Sequence, residues 1–247
     1  MIFRYLSVLT EAPNVFLVLF SAFLVAILTG LVFHEFSHAL VADRLGDRTA
    51  RRMGRLSLNP IRHLDPVGSL LIFFIGFGWA KPVPVNPYNT ANPKRSMAMI
   101  AFAGPLSNLV MAGLAAIPIK LGLVPFLHPF VDPRFVQLLA DQWSRSPGDL
   151  AGLFLGTIVL LNVLLAVFNL IPIAPLDGFR AAVGLLPDGL SQSLARLEPW
   201  GPGILMLLIF APFLSGGQFN PLFTAMDPLI GLLLNLFVGN GGALHVG

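Results

Sequence analysis

His34, Glu35 and His38 stand together in LVFHEFSHAL, residues 31–40, in an arrangement suited to holding a metal ion and activating water. On a helix, residues four apart share one face, so both imidazoles project the same way one turn apart with the carboxylate beside them. Two neutral imidazoles can then share one zinc ion at about 2.0–2.1 Å. Glu35 can take the proton of a zinc-held water as general base. A catalytic zinc uses three protein ligands and keeps one position open, so a third ligand has to come from elsewhere in the chain.

The surroundings of the motif sharpen this reading. HEFSH ends an apolar run, about Ala12–Ala42, in which Glu35 is the only formally charged side chain. A charge at the centre of a membrane helix costs about 2.5–3.5 kcal/mol on insertion scales, so three ionisable groups at helical spacing are hard to account for as a passive polar cluster. The whole chain matches that setting. Of its 247 residues 55% are hydrophobic and 11% charged, less than half the roughly 25% charge of a soluble domain. We expect an all-α polytopic membrane protein: one domain over 1–247, a bundle of about five or six transmembrane helices. A catalytic core covers about 12–180 and a C-terminal helical pair about 200–238. No removable leader is expected, since Leu6–Thr10 is short for one and the following run carries the motif itself. The absence of cysteine excludes disulfides, thiolate metal sites and a cysteine nucleophile.

Several segments must position the motif. Asp43–Ser69, with six of the fifteen Lys and Arg residues, reads as a polar loop. Leu70–Pro87 is too short to cross comfortably, and the prolines at 82, 84 and 87 forbid a continuing helix, so a partly buried extended segment or hairpin is expected there. A second span covers about Ser96–Val124, broken locally at GPLSN and Pro118. Pro125–Asp149 reads as a polar loop, and the third span as about Leu150–Ile171. Pro187–Pro199 is polar, two shorter apolar runs follow at Gly201–Leu214 and Pro221–Val238, the second interrupted at Asp227–Pro228, and Gly239–Gly247 looks frayed. The arginine-rich loop places the ends of the first and third spans on the cytoplasmic side of the cell membrane by the positive-inside bias. The basic balance therefore points to membrane orientation and lipid headgroups, not to nucleic acid.

Depth then selects a third ligand. His38 lies six residues, about 9 Å of helix, before Arg44. Asp177 in NLIPIAPLDG lies just past the same end of the third span, after prolines at 172 and 175 that break the helix. An Asp-Gly turn after a helix is common without any function, but a tight turn here can aim the carboxylate inward at the depth of HEFSH.

HEFSH in a span, followed by GRLSLNPIRHLDPVGS, GWAKPVPVNP, AFAGPLSN and NLIPIAPLDG, resembles the site-2 protease family of intramembrane zinc metalloproteases in its compact prokaryotic branch. The resemblance covers about residues 30–180, and no PDZ or CBS regulatory domain is recognisable. It implies one zinc per chain held by His34, His38 and Asp177, Glu35 as the base, and a transmembrane protein or peptide as substrate. Asn108 of GPLSN matches an asparagine that faces the active site in this family. It could stabilise an oxyanion or hold the substrate backbone, or equally hydrogen-bond between helices. Asn169 shares that ambiguity as a cap or brace of the DG turn, and His63 and Asp65 match the pattern as loop residues. His128 and His245 receive no role. In KPVPVNP the alternating prolines leave the N–H groups of Val83 and Val85 on one edge, where an extended substrate could pair by strand addition.

Two other classes compete. A CAAX-processing type of HExxH peptidase takes a downstream glutamate as third ligand, and Glu198 is the only one present, in RLEPWG without a suitable helical context. A transporter or a catalytically inactive zinc-binding relative would also carry intramembrane His and Asp. A transporter does not require a glutamate next to the first of two histidines spaced by four, and an inactive relative would usually lose Glu35 or a ligand.

Overall fold

The computed structural model describes residues 6–75, 78–131 and 136–239. Short helix α1 (Leu6–Glu11) precedes the long α2 (Pro13–Arg44), and the short α3 (Thr49–Arg52), α4 (Pro60–His63) and α5 (Pro66–Ile75) follow it. Then come α6 (Pro93–Lys120), α7 (Val136–Trp143), α8 (Pro147–Asn169), α9 (Asp177–Leu185), α10 (Asp188–Ala195), α11 (Gly201–Leu214) and α12 (Pro221–Val238). Among the described residues five stretches are long and apolar enough to cross a membrane: α2, α6, α8, the α10–α11 stretch Asp188–Leu214, and α12. No named strand is present among them.

Helix starts follow one local device. Asn92 and Ser146 precede a proline and accept from the N–H of Arg95 and Asp149, and Asn220 before Pro221 does the same for Phe223. The side-chain oxygen satisfies an orphan donor, while proline at the first helical position lacks a donor to waste. Stops are equally local: Gly46 after α2 and Gly122 after α6 take positive φ of 110° and 70°.

The helices α2, α6 and α8 form the core of the bundle. Lipid tails supply no hydrophobic drive between helices, so close packing of small residues has to hold them. Ala22, Ala26 and Gly30 of α2, Ala112 and Ala116 of α6, and Ala166 of α8 are buried accordingly. One apolar cluster joins Leu19, Phe23 and Leu153 to Trp143 of α7; another joins Ala116, Val163 and Val167 to Ile230 and Leu234 of α12. Most of the α11 surface, including Phe213 and Leu214, is exposed, as on a lipid-facing helix.

Several sequence expectations are corrected here. The apolar start of Leu70–Pro87 is helical: Asp65 Oδ1 caps α5 by accepting from Gly68 N–H at 2.8 Å. At ten residues, α5 is about 15 Å long, half a bilayer core. Among the described residues of this stretch, those from Gly78 to Asn86 are non-helical, and one isolated bridge pairs Ala80 with Leu64. Helix α6 runs unbroken through Pro105 and Pro118, and α12 through Pro228, because each proline costs one backbone bond that a packed helix tolerates. The expected polar loops 43–69, 125–149 and 187–199 contain α3, α4, α7, the start of α8, and α10. From Asn240 on, the expected frayed tail lies outside the described residues, as does His245.

Asp47 ties the loop before α6 to the end of α2. Its carboxylate accepts from Thr49 Oγ1 (2.5 Å), Thr49 N–H (3.1 Å), Asn89 Nδ2 (2.8 Å) and Asn86 N–H (2.6 Å). Burial acts to raise this carboxyl, but the bonds from Thr49, Asn89 and Asn86 outweigh it and hold it below its ordinary value of 3.8. The folded chain therefore binds fewer protons here than the unfolded one. The stabilisation is full above that ordinary value and disappears as pH falls through the lower folded one. Asp47→Ala should cost about 2–3 kcal/mol, measured by thermal unfolding in detergent at pH 7, and should flatten the loss of stability below pH 4.

Candidate metal centre

The site forms where α2 ends, α6 begins and α9 follows α8. His34 and His38 project from one face of α2 with ring centroids 4.7 Å apart. Asp177 is the first residue of α9, not part of the tight turn expected from its Asp-Gly pair, and the helix start points its carboxylate at both rings. Gly178 permits this, since a Cβ there would stand 2.5 Å from Ile171 O and closer still to Leu170 O. Asp177 Oδ2 lies 2.9 Å from His34 Nε2 and 3.1 Å from His38 Nε2. The ligating atoms of all three lie within 4.8 Å of one another.

The opposite ring nitrogens identify what belongs between them. His38 Nδ1 sits 2.7 Å from Ile100 O, and His34 Nδ1 sits 2.7 Å from Asn108 Oδ1. Both neighbours are acceptors, so both Nδ1 atoms carry hydrogen and both Nε2 atoms turn toward one carboxylate oxygen. Holding Asp177 by hydrogen bonds from both would require two imidazolium ions against one carboxylate. A single cation satisfies the same three atoms without that excess charge. Four-coordinate zinc with ligands at about 2.0–2.1 Å places them about 3.3 Å apart, close to what is seen. The donor set fits zinc.

Gly104 of α6 completes the floor. A Cβ there would stand 2.5 Å from His34 Nε2, 2.6 Å from His34 Cε1 and closer still to His38 Nε2. Only a residue without a side chain leaves that space open. Glu35, on the neighbouring face of α2, accepts from Val83 N–H at 3.1 Å. The sequence reading did not single out Gly104 or the Val83 contact; a glycine directly before Pro105 in a span was the available signal.

Asn108 makes the interhelical hydrogen bonds that were one of its two expected roles. It is 0% exposed. Its Oδ1 faces His34, and its Nδ2 donates to Gly30 O at 3.1 Å and Asn162 Oδ1 at 3.0 Å. No amide hydrogen is left for a substrate. Asn169 likewise braces its own helix, donating to Leu165 O at 2.9 Å, and not the DG turn. His63, the last residue of α4, is fully buried, its Nε2 bonded to Ser57 O at 2.5 Å and its carbonyl accepting from Lys81 N–H at 2.7 Å. It stands apart from the three converging groups.

The chain is 34% identical over 213 residues to the protein named "Putative zinc metalloprotease YwhC" of Bacillus subtilis (strain 168), across 86% of this chain and 91% of that one. It belongs to the site-2 protease family. A second member, "Putative zinc metalloprotease Rip2" of Mycolicibacterium smegmatis (strain ATCC 700084 / mc(2)155), is 32% identical over 207 residues, 81% of this chain and 71% of its own length. No protein-family model and no solved structure matches the chain. Among the described residues the chain has five candidate spans and one His, His, Asp cluster, made by α2 and the start of α9.

Removing the third ligand gives a direct check. Wild-type protein purified in detergent should carry about one zinc per chain by elemental analysis, and Asp177→Ala should carry little or none. Equal zinc in both would place the third ligand elsewhere.

Proposed function

We propose that this protein is an intramembrane zinc endopeptidase that hydrolyses a peptide bond within or near a transmembrane segment of a membrane-protein substrate. The observation that carries the reading is the convergence of His34, His38 and Asp177 next to Glu35 on a membrane-spanning helix. Zinc held by those three would polarise the scissile carbonyl and acidify a water molecule. Glu35 would take a proton from a water molecule as its oxygen attacks the carbonyl carbon, and return it to the nitrogen as the C–N bond breaks. The arginines between Arg44 and Arg62 support a cytoplasmic placement for this end of the bundle, in the inner membrane of the cell.

The extended segment 81–86 supports a mode of substrate binding. One edge turns to the site: Lys81 N–H bonds His63 O, and Val83 N–H bonds Glu35. The other edge lacks the N–H groups of Pro82 and Pro84 and is tied to the loop through Arg55 on Pro82 O and Asp47 on Asn86 N–H. Of the two valine N–H groups expected to be available, Val83's is taken by the base. Val85 N–H has no protein partner among the described residues and is the one that pairs with an extended substrate. Val85→Pro should lower kcat/KM about tenfold, the value of one backbone hydrogen bond, with zinc content unchanged. Unchanged kcat/KM would remove this pairing.

Membranes carrying the wild-type chain should accumulate new peptide termini inside the cytoplasmic half of single-span proteins, detected by terminal-peptide mass spectrometry. These termini should be absent with Glu35→Gln, vanish with a zinc chelator and return on adding zinc. No such termini from zinc-loaded protein would overturn the reading and favour the transporter or inactive relative.

A further inference from the structure

Which ring nitrogen of a histidine faces a metal is decided by what the other nitrogen meets. For His38 the decision is immediate, since its Nδ1 meets the backbone carbonyl of Ile100. For His34 it passes through two side-chain amides. Asn162 of α8 donates from Nδ2 to Ile158 O at 2.9 Å. A backbone carbonyl only accepts, so the NH₂ half of Asn162 is fixed there and its Oδ1 turns toward α6. Asn108 Nδ2 then faces two acceptors, Asn162 Oδ1 at 3.0 Å and Gly30 O at 3.1 Å, one for each amide hydrogen. Its remaining atom, Oδ1, meets His34 Nδ1 at 2.7 Å. An oxygen in that position demands hydrogen on Nδ1 and leaves the lone pair on Nε2, toward Asp177.

We propose that Asn162 is a positioning residue for the metal ligand His34, selecting its Nδ1–H form through Asn108. The proposal rests on the metal-site reading above. Two further observations support a role beyond joining helices. Elsewhere α6 and α8 meet through apolar residues, Ala112 and Ala116 among Val159, Val163 and Val167, so packing alone requires no amide here. Both amides are 0% exposed, an expensive placement unless every group is paired. Gly30 makes room for the pair, as a Cβ there would stand 3.1 Å from Asn162 Oδ1 and 3.4 Å from Asn108 Nδ2.

Asn162→Leu keeps the volume and removes the relay. Asn162→Ser keeps its polarity on a shorter arm: a hydroxyl can donate to the carbonyl four residues back, as Thr157 does to Leu153 O at 2.7 Å, and still accept from Asn108. Zinc affinity is read by chelator competition in detergent, and the ring form of His34 by ¹⁵N-histidine spectra of zinc-free protein. Asn162→Leu should bind zinc about 10–100-fold more weakly and show His34 divided between its two neutral forms, with Asn162→Ser recovering part of both. A folded Asn162→Leu with wild-type affinity and a single Nδ1–H form would overturn the relay. If that variant does not fold, Asn162→Ala against Asn162→Ser decides by the same two readings, and equal values overturn it. Wild-type protein that takes up no zinc would instead overturn the metal reading itself.

Discussion

Glu35→Gln should lower peptide-bond cleavage by about 10²–10⁴-fold, the range supplied by a positioned acid–base group, while zinc content and Tm stay at wild-type values. The substitution is nearly isosteric. Its amide oxygen can still accept from Val83 N–H, so the contact that fixes the side chain survives. What disappears is the capacity to take a proton from water and return it to the departing nitrogen. Cleavage by reconstituted protein, normalised to bound zinc, separates the outcomes. Unchanged cleavage would assign the base elsewhere, and loss of zinc would make Glu35 part of the ion's support.

Gly104→Ala should weaken zinc binding by at least about 100-fold, more than loss of a supporting contact does, and remove activity with it. The added Cβ would stand 2.5 Å from His34 Nε2. Helix α6 cannot simply retreat, because Ile100 O holds His38 and Asn108 holds His34 on either side of Gly104. The imidazoles must swing away, which separates them from Asp177. By intrinsic propensity alanine favours a helix over glycine by about 1 kcal/mol, so loss of metal without loss of helix is the signature of a steric effect. Chelator competition and far-ultraviolet circular dichroism measure the two sides. Wild-type affinity would show that the space above Gly104 is not needed by the ion.

Features written in short stretches of sequence were legible. The spacing of His34 and His38 puts them on one helical face whatever surrounds that helix. Apolar runs located α2, α6 and α8 to within a few residues at most ends. The irregular parts were read less well, because composition misleads where packing supports a proline. Pro105 and Pro118 looked like breaks and are carried inside α6, while the apolar start of Leu70–Pro87 looked too short to organise and forms α5.

By itself the sequence determined a polytopic helical chain with two histidines and a glutamate inside a span, and depth alone pointed to Asp177 as their partner. Only the tertiary structure decided how those groups are held. Contacts between His34 and Asn108, Asn108 and Asn162, and His38 and Asp177 join residues 74, 54 and 139 positions apart. No local periodicity encodes such distances. The same holds for Gly104, whose importance is the absence of an atom, and for Val83, whose backbone N–H is common to nearly every residue type. Each gains its role from what the crossing of α2, α6 and α8 places within about 3 Å of it, the range over which hydrogen bonds and steric exclusion act.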